Sequence, residues 1–338
     1  MRIALFFLPK MSQIELDVRD LRVSFTTPQG KFPAVNGISF KLHNGETLAL
    51  VGESGCGKTV SALSILRLLP EPPAEITSGK IIFSGQNLLS LNSKQLRDIR
   101  GQEISMIFQD PMTSLNPVLT IGEQLIETLV RHKDLNRKEA FERSAELLGK
   151  VELPSPEKKM QQYPHQLSGG MRQRVMIAMA LACEPRILIA DEPTTALDVL
   201  IQAQILELLA ILKNETGMSI LFITHDLGVV TEIADRVMVM YAGEVVESGP
   251  TRDLMENPHH PYTKGLIASL PNLSAAKGKG QRLSEISGNV PNPGQLPTGC
   301  PFHPRCDWAM DQCKTKKPYL ENTTPNRQRS CHLEPGSI

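Results

Sequence analysis

The sequence predicts an α/β fold with a mixed, largely parallel core sheet, antiparallel strands near the N-terminus, a helical insertion and an irregular C-terminal arm. Three features support this prediction. A glycine-rich turn joins a buried strand to a helix, two later apolar runs flank a helical stripe, and proline and glycine crowd the last segment. Short apolar runs that alternate with helices are typical of a parallel sheet.

The composition excludes several classes of protein. The 338 residues include 36 basic and 36 acidic side chains, so the formal net charge is zero, and only 4% of residues are aromatic. A neutral chain with few rings for base stacking does not favour nucleic-acid binding. No apolar stretch approaches the roughly 20 residues that cross a bilayer. The first ten residues are too short to be a secretory signal, and Met11 is a candidate for the true start.

The first strands and helices follow from the spacing of apolar residues. Alternation over residues 14–25 and 40–51 predicts strands, with a turn at Gly45. The period then changes to that of a helix, which we expect to include Leu63, Leu66 and Leu69. Residues 137–151 carry charges around one apolar face and predict an exposed helix.

The second half of the chain continues the alternation of strand and helix patterns up to Leu270, and no regular pattern follows. Apolar runs at residues 187–190 and 220–223 flank a helical stripe, which predicts two parallel strands joined by a helix. After Leu270 proline and glycine interrupt every periodicity, which is typical of an irregular arm. We therefore predict a main domain over residues 1–265, with a helical insertion at about 95–180, and an arm over 266–338.

Residues 52–59 match the pattern G-x-x-x-x-G-K-[ST] between a buried strand and a helix. Its glycines let backbone N–H groups surround a phosphate chain, its lysine reaches the terminal phosphates, and its threonine hydroxyl binds magnesium. The strand-to-helix context disfavours an ordinary glycine-rich turn. The predicted nucleotide-binding residues here are Gly52, Glu53, Ser54, Gly55, Cys56, Gly57, Lys58, Thr59 and Val60.

Two further motifs contain groups suited to a nucleotide site. Asp191 and Glu192 end the run ILIA; the first carboxylate could hold magnesium and the second could accept a proton from water. Alone, such a pair is more often a solvated strand end. Ser168, Gly169 and Gly170 begin a long helix and make either a second anion-binding end or a simple cap. Because one chain needs only one phosphate loop, a second such end suggests a site completed by another copy.

Five features together resemble the ATPase subunit of an ATP-binding cassette (ABC) transporter over about residues 14–260: the phosphate loop, a glutamine after it, LSGG, ILIADEP and a lone histidine after ILIADEP. The resemblance implies a P-loop ATPase that uses ATP and Mg²⁺. It implies catalytic roles for Lys58, Glu192 and His225, and magnesium contacts from Thr59, Gln109 and Asp191. It also implies adenine stacking by Phe25 and a dimer seam that contains Ser168, Gly169, Gly170 and Asp198.

Three longer segments, at residues 109–125, 260–271 and 299–306, resemble the peptide-importer branch of this family. That branch imports dipeptides or oligopeptides, with relatives for nickel and antimicrobial peptides. The resemblance implies a second, often non-identical ATPase subunit, two membrane-spanning permeases and an extracytoplasmic binding protein. The chain would then lie peripherally at the cytoplasmic face of the membrane. A soluble, non-transport ABC ATPase and an iron–sulfur sensor are the alternatives.

Four cysteines crowd the arm: Cys300, Cys306, Cys313 and Cys331. Their thiolates could bind a 4Fe–4S cluster or a zinc ion, or form disulfides. The expected cytoplasmic location disfavours disulfides, and the spacing lacks the close cysteine pairs of zinc ribbons. Resemblance to cluster-bearing members of the branch implies the 4Fe–4S cluster, with zinc as the alternative.

Overall fold

The computed structural model describes residues 13–110, 114–195, 197–270 and 285–338. The candidate start at Met11 and the first half of the predicted proline- and glycine-rich segment, residues 271–284, lie outside these ranges. Within them the strands form two sheets, one of four strands and one of eight.

The smaller sheet is antiparallel throughout, as the sequence predicts for the N-terminal strands. Its order is β2-β1-β4-β5. Strands β1 and β2 form a long hairpin in which Phe25 lies opposite Phe32. The strands are β1 (Ile14–Thr27), β2 (Gly30–His43), β4 (Ala74–Phe83) and β5 (Gln86–Asn87). Gly45, at φ 69°, makes the predicted turn between β2 and the larger sheet.

The larger sheet is mixed. Its strands are β3 (Thr47–Val51), β6 (Ile104–Ile107), β7 (Ile187–Asp191), β8 (Ser219–Thr224), β9 (Arg236–Tyr241), β10 (Glu244–Pro250), β11 (Glu321–Thr324) and β12 (Arg327–Arg329). Their order is β11-β12-β10-β9-β3-β8-β7-β6, with parallel pairing from β6 to β9 and antiparallel pairing beyond. Every residue of β3, β7 and β8 is buried, which explains why these strands are nearly continuous apolar runs.

The helices are α1 (Lys58–Ile65), α2 (Ser93–Ile99), α3 (Ile121–Lys133), α4 (Arg137–Lys150), α5 (Pro156–Met160), α6 (Gly169–Leu181), α7 (Val199–Thr216), α8 (Leu227–Ile233), α9 (Thr251–Glu256), α10 (Pro261–Ala268) and α11 (Asp311–Thr315). Helices α3 to α6 lie between β6 and β7 in the chain. The predicted insertion at residues 95–180 contains them together with β6, a strand of the larger sheet. Asn136 and Glu139 form a capping box that starts α4, the helix expected at 137–151.

The expectation that the first helix extends through Leu66 and Leu69 is wrong. Helix α1 ends at Ile65, and Arg67 adopts a left-handed backbone at φ 49°. The guanidinium of Arg100 donates hydrogen bonds to the carbonyl oxygens of Leu66 and Arg67, at 2.6 to 2.8 Å. This side chain, 33 residues away, satisfies carbonyl groups that would otherwise need another helical turn.

The C-terminal residues pack on the larger sheet. Strands β11 and β12 extend it beyond β10. The ring of Phe302, only 3% exposed, contacts those of Tyr241 and Tyr262 at centroid distances of 5.2 and 5.3 Å. A segment with few apolar residues is thereby ordered on a core that the rest of the chain supplies.

A buried ion pair also joins this segment to the sheet. Glu247 of β10 is fully buried and accepts hydrogen bonds from the guanidinium of Arg327 at 2.8 Å and from the backbone N–H groups of His259 and His260. Arg327, on β12, is itself 6% exposed. Removing one partner of such a pair leaves a buried charge without its counter-charge.

We therefore expect Arg327→Met to destabilise the protein by about 3 to 5 kcal/mol, measured by urea denaturation. Arg252→Met is the matched control because its pair with Glu256 lies in solvent. Equal denaturation midpoints for the two variants would show that the buried pair does not anchor the segment.

Candidate functional site

The phosphate-binding loop lies between β3 and α1 and passes close to neighbouring backbone. Gly52 has φ 154°, and a Cβ atom there would lie 2.3 Å from the carbonyl oxygen of Met240. Gly57 has φ 104°, and a Cβ atom there would lie 2.5 Å from the carbonyl oxygen of Ala34. Both positions therefore require glycine. The loop is held against β2 and the end of β9.

The ammonium group of Lys58 lies inside this loop. Its Nζ donates hydrogen bonds to the carbonyl oxygens of Gly52 at 2.7 Å and Glu53 at 3.1 Å. Lys58 is 5% exposed. A positive charge is thus buried among the backbone groups that the sequence predicts to surround phosphates. Cys56, in the same loop, is also buried, and burial raises the pKa of its thiol, which disfavours a reactive thiolate.

Thr59 and Asp191 form the predicted magnesium pair. The Thr59 hydroxyl, at the start of α1, donates to Oδ1 of Asp191 at the end of β7, at 3.2 Å. Asp191 is 1% exposed, and burial raises the pKa of its carboxyl to about 6. The adjacent Glu192 adds to this rise, whereas the Thr59 hydroxyl and the Lys58 charge oppose it. A hydroxyl beside a buried carboxylate suits Mg²⁺, which prefers hard oxygen ligands and offsets the negative charge. The Thr59 hydroxyl oxygen and the Asp191 carboxylate oxygen therefore fit Mg²⁺.

Two other predicted site residues meet at the carboxylate of Glu192. Its carboxylate accepts a hydrogen bond from Nε2 of Gln109 at 3.0 Å and lies 3.2 Å from Nδ1 of His225. The hydroxyl of Thr195 donates to the same carboxylate at 2.9 Å. Thr195 was not predicted, because a threonine in a turn carries no signal of such a contact. Glu192 adopts φ 47°, a left-handed conformation at the turn out of β7.

The sheet explains why residues so far apart in sequence meet here. Gln109 and His225 lie just beyond the carboxyl ends of β6 and β8, and Asp191 is the last residue of β7; these three strands are parallel neighbours. The phosphate loop follows β3, the next strand of the same parallel set. Carboxyl ends of parallel strands share one edge of a sheet, and this edge is where open α/β sheets bind ligands.

The remaining predicted residues lie apart from this centre. Ser168 caps α6: its Oγ accepts a hydrogen bond from the backbone N–H of Met171 at 3.3 Å. Asp198 caps α7: its Oδ1 accepts a hydrogen bond from the backbone N–H of Ile201 at 2.9 Å. A Cβ atom on Gly170 would lie 3.1 Å from Cγ2 of Ile201, so the two helix starts pack together. Across the described parts of the chain, no hydrogen bond joins Ser168, Gly169 or Gly170 to the phosphate loop.

Phe25 lies near the end of β1, half-buried, and its ring stacks on that of Phe32 with centroids 6.1 Å apart. One face of the ring is therefore occupied by another aromatic side chain. Phe32 is two residues from Ala34, whose carbonyl borders the phosphate loop. The predicted adenine platform thus belongs to the hairpin that flanks the loop.

The four arm cysteines interact with one another without forming disulfides. The backbone N–H of Cys300 donates to the carbonyl oxygen of Cys313 at 2.8 Å. Burial is the main cause that raises the pKa values of Cys300 and Cys306 to about 11, and the charges of other arm cysteines contribute to this rise. No group of three or more histidine, cysteine, aspartate or glutamate side chains in the described ranges is arranged to hold a metal ion. The metal-binding character of the arm is therefore not shown.

Two family models match the chain. One is described as "ABC transporter" and covers residues 35–195; the other, "Oligopeptide/dipeptide transporter, C-terminal region", covers residues 246–313. The chain is 52% identical over 319 residues to the dipeptide transport ATP-binding protein DppD of Bacillus subtilis, covering 94% of each. This chain belongs to the ABC transporter family. Its C-terminal match and this relative place it in the peptide-transporter branch.

Other relatives agree. Identity is 52% over 316 residues to the oligopeptide transport ATP-binding protein OppD of Escherichia coli, covering 94% of this chain and 92% of that protein. Among solved structures, the dimeric ATP-binding cassette MJ0796 bound to ADP and Pi is 29% identical with a TM-score of 0.63, covering 70% of this chain and 99% of that one. None of the helices in the described ranges is both long and apolar enough to span a membrane.

The raised pKa of Asp191 gives a stability prediction. The carboxyl resists ionisation in the folded state, so the unfolded state loses its proton first and stability falls as the pH rises from about 4 through about 6. Without magnesium or nucleotide, we expect Asp191→Asn to stabilise the protein by up to about 3 kcal/mol at pH 7.5 and by about half as much at pH 5.

Urea denaturation at the two pH values measures this difference. Asp253→Asn, at an exposed position in α9, is the control and should show no such dependence. A stabilisation by Asp191→Asn that is equal at both pH values would contradict the assignment of a raised pKa to this carboxyl.

Proposed function

We propose that this chain is the ATP-hydrolysing subunit of an importer for dipeptides or oligopeptides. The observation that carries the proposal is the Glu192 carboxylate, held between Gln109 and His225 beside the Thr59–Asp191 pair. A carboxylate held in place next to a phosphate loop is the group that in-line attack by water on a terminal phosphate requires. The relatives named dipeptide and oligopeptide transport ATP-binding proteins support the cargo.

In this mechanism backbone N–H groups of residues 52–60, other than that of Glu53, bind the triphosphate, and Lys58 neutralises the terminal phosphates. Thr59, Asp191 and Gln109 hold Mg²⁺, which offsets charge on the phosphate oxygens when it is bound. Glu192 accepts the proton of the attacking water. His225, whose Nδ1 lies 3.2 Å from the Glu192 carboxylate, fixes the orientation of that carboxylate and contacts the terminal phosphate.

A second ATPase subunit completes the site. Ser168, Gly169 and Gly170, at the start of α6, close over the nucleotide of the partner, and Asp198 lies across the seam. Phe25 stacks on the adenine with the ring face that Phe32 leaves open. The solved relative is dimeric, which supports this arrangement, and a non-identical homologous partner is the form we expect.

Opening and closing of the ATPase pair would drive two transmembrane permeases, which receive cargo from an extracytoplasmic binding protein. The chain would act peripherally at the cytoplasmic face of the membrane. Nickel or an antimicrobial peptide is the alternative cargo within the branch. We also propose that the ATPase domain spans residues 1–265, with its helical part at about 95–180, and that the arm spans residues 266–338.

We also propose that Cys300, Cys306, Cys313 and Cys331 bind a 4Fe–4S cluster, with zinc as the alternative. Charges on neighbouring arm cysteines raise the pKa values of Cys300, Cys306 and Cys331, so these thiols and Cys313 form one electrostatically connected group. The buried guanidinium of Arg329 has two nitrogens, Nε and Nη1, without a hydrogen-bond partner in the described chain. Burial raises the pKa of Cys331, and Arg329 opposes this rise. A buried cation that acts on Cys331 and has two unsatisfied nitrogens favours an anionic thiolate centre.

The role of Glu192 as general base predicts the behaviour of Glu192→Gln. The variant should bind MgATP with near-normal affinity and release phosphate about 10² to 10⁴ times more slowly, because the proton acceptor is lost. Phosphate release and equilibrium MgATP binding measure the two effects. Glu207→Gln, at an exposed position of α7, should match the unmodified protein. Near-normal turnover by Glu192→Gln would exclude the general-base role.

The cysteine assignment predicts a coloured protein. Anaerobically purified chain should be brown, absorb near ~400 nm and contain about four iron atoms per chain. Replacing the four arm cysteines with serine should remove iron and colour, whereas Cys183→Ser, at a buried free cysteine remote from the arm in sequence, should retain both. Stoichiometric zinc in place of iron would refute the cluster and support the alternative.

A further inference from the structure

Glu53, the second residue of the phosphate loop, is held by side chains from the C-terminal part of the protein. Its carboxylate accepts two hydrogen bonds from the guanidinium of Arg305, at 2.7 and 3.0 Å. Its backbone N–H donates to the hydroxyl of Tyr262 at 2.9 Å. Its carbonyl oxygen accepts the ammonium group of Lys58 at 3.1 Å. The side chain, the N–H and the carbonyl of one loop residue are thus all engaged.

The Arg305 side chain is itself fixed. It is 4% exposed, and its Nε donates to the carbonyl oxygen of Ser287 at 3.0 Å. Its guanidinium carbon lies 5.8 Å from the ring centre of Tyr241 and 6.0 Å from that of Phe302. Two parallel hydrogen bonds from a buried, stacked guanidinium to a carboxylate form a strong and geometrically specific pair.

Tyr262 is fully buried at the start of α10. Its ring packs edge-on against Tyr241, with centroids 4.7 Å apart. Burial raises the pKa of the Tyr262 hydroxyl, and the Glu53 carboxylate raises it further, so the group stays neutral. A neutral hydroxyl on an immobile ring can hold the Glu53 backbone without adding charge.

The charge of Glu53 gives this contact a functional consequence. A loop that binds a triphosphate contains a carboxylate, and an unpaired carboxylate there would repel the phosphates. Arg305 offsets that charge by forming a close ion pair inside the protein. Sequence reasoning missed both Arg305 and Tyr262, which lie 252 and 209 residues from Glu53 and belong to no nucleotide-binding pattern.

We propose that Arg305 and Tyr262 are positioning residues of the ATP site. They fix Glu53, and with it the entrance of the phosphate loop, and Arg305 neutralises the Glu53 carboxylate. The C-terminal arm therefore completes the nucleotide site of its own chain. This inference rests on the proposed ATPase function and adds residues from outside the ATPase motifs to it.

The test compares variants of the full-length chain in MgATP binding and in steady-state phosphate release. Arg305→Met should raise the Kd and KM for MgATP at least tenfold and change kcat less than threefold, because the reacting groups at Glu192 are untouched. Arg305→Lys, which keeps the charge but loses the second hydrogen bond, should fall between Arg305→Met and the unmodified protein. Arg252→Met, at an exposed ion pair, is the control and should change neither constant.

A rescue experiment separates the electrostatic role from general damage. Glu53→Gln introduced into Arg305→Met removes the unpaired carboxylate and should recover at least a third of the lost MgATP affinity, expressed as log Kd. If Arg305→Met does not fold, Tyr262→Phe carries the test, because it keeps the ring and removes only the hydroxyl. It should raise the KM severalfold with an unchanged kcat.

The outcomes distinguish this inference from the function on which it rests. If the unmodified protein neither binds nor hydrolyses MgATP, the proposed function is refuted. If the unmodified protein does both and Arg305→Met, Arg305→Lys and Tyr262→Phe match it, the positioning role is refuted. Equal losses of kcat and affinity in Arg305→Met, without rescue by Glu53→Gln, would indicate a merely structural contact and would also overturn the proposal.

Discussion

Four parallel strands of the larger sheet end at one edge, and the whole candidate site depends on that alignment. Strands β3, β6, β7 and β8 are adjacent and largely buried, so their interiors exclude the charged groups that ATP chemistry needs. Those groups are confined to the last residue of a strand or to the residues just beyond it. Because the strands run in the same direction, residues at their carboxyl ends meet at one edge of the sheet although the strands lie far apart in the sequence.

Charge balance is the second constraint at this edge. Lys58 is buried in the phosphate loop, while Asp191, Glu192 and Glu53 contribute carboxylates close to it. Each carboxylate has a specific neighbour: Thr59 contacts Asp191, Gln109 and His225 contact Glu192, and Arg305 contacts Glu53. The burial of Asp191 raises its pKa because the buried carboxylate loses its hydration. A divalent cation bound beside it would offset this free-energy cost of burying the charge. The site therefore depends on these partners of its carboxylates as much as on its glycines.

The C-terminal arm is ordered by the sheet on which it packs. It contributes two short strands, one buried arginine to Glu247 and one aromatic ring to a cluster with Tyr241 and Tyr262. The same cluster supports Arg305, which contacts the phosphate loop. A segment that cannot form its own core thus shares the core that holds the nucleotide site. A change in the packing of the arm would therefore reach the phosphate loop through these few side chains.

The sequence by itself determined the local features of this protein. The glycine and lysine pattern of the phosphate loop, the buried strands, the antiparallel N-terminal strands, the turn at Gly45 and the helix at Arg137–Lys150 all follow from short-range chemistry. Each of the motif residues at the strand ends was also found, because local pattern and chain order mark them. Family resemblance then supplied their roles.

Only the tertiary structure decided the contacts between distant segments. The end of α1 at Ile65 depends on Arg100, the support of Glu192 includes Thr195, and the fixing of Glu53 depends on Tyr262 and Arg305. Such contacts leave no periodicity in the chain, since a buried arginine or tyrosine looks the same in sequence whichever group it meets. Strand order brings these groups together, and strand order is set by packing over the whole sheet.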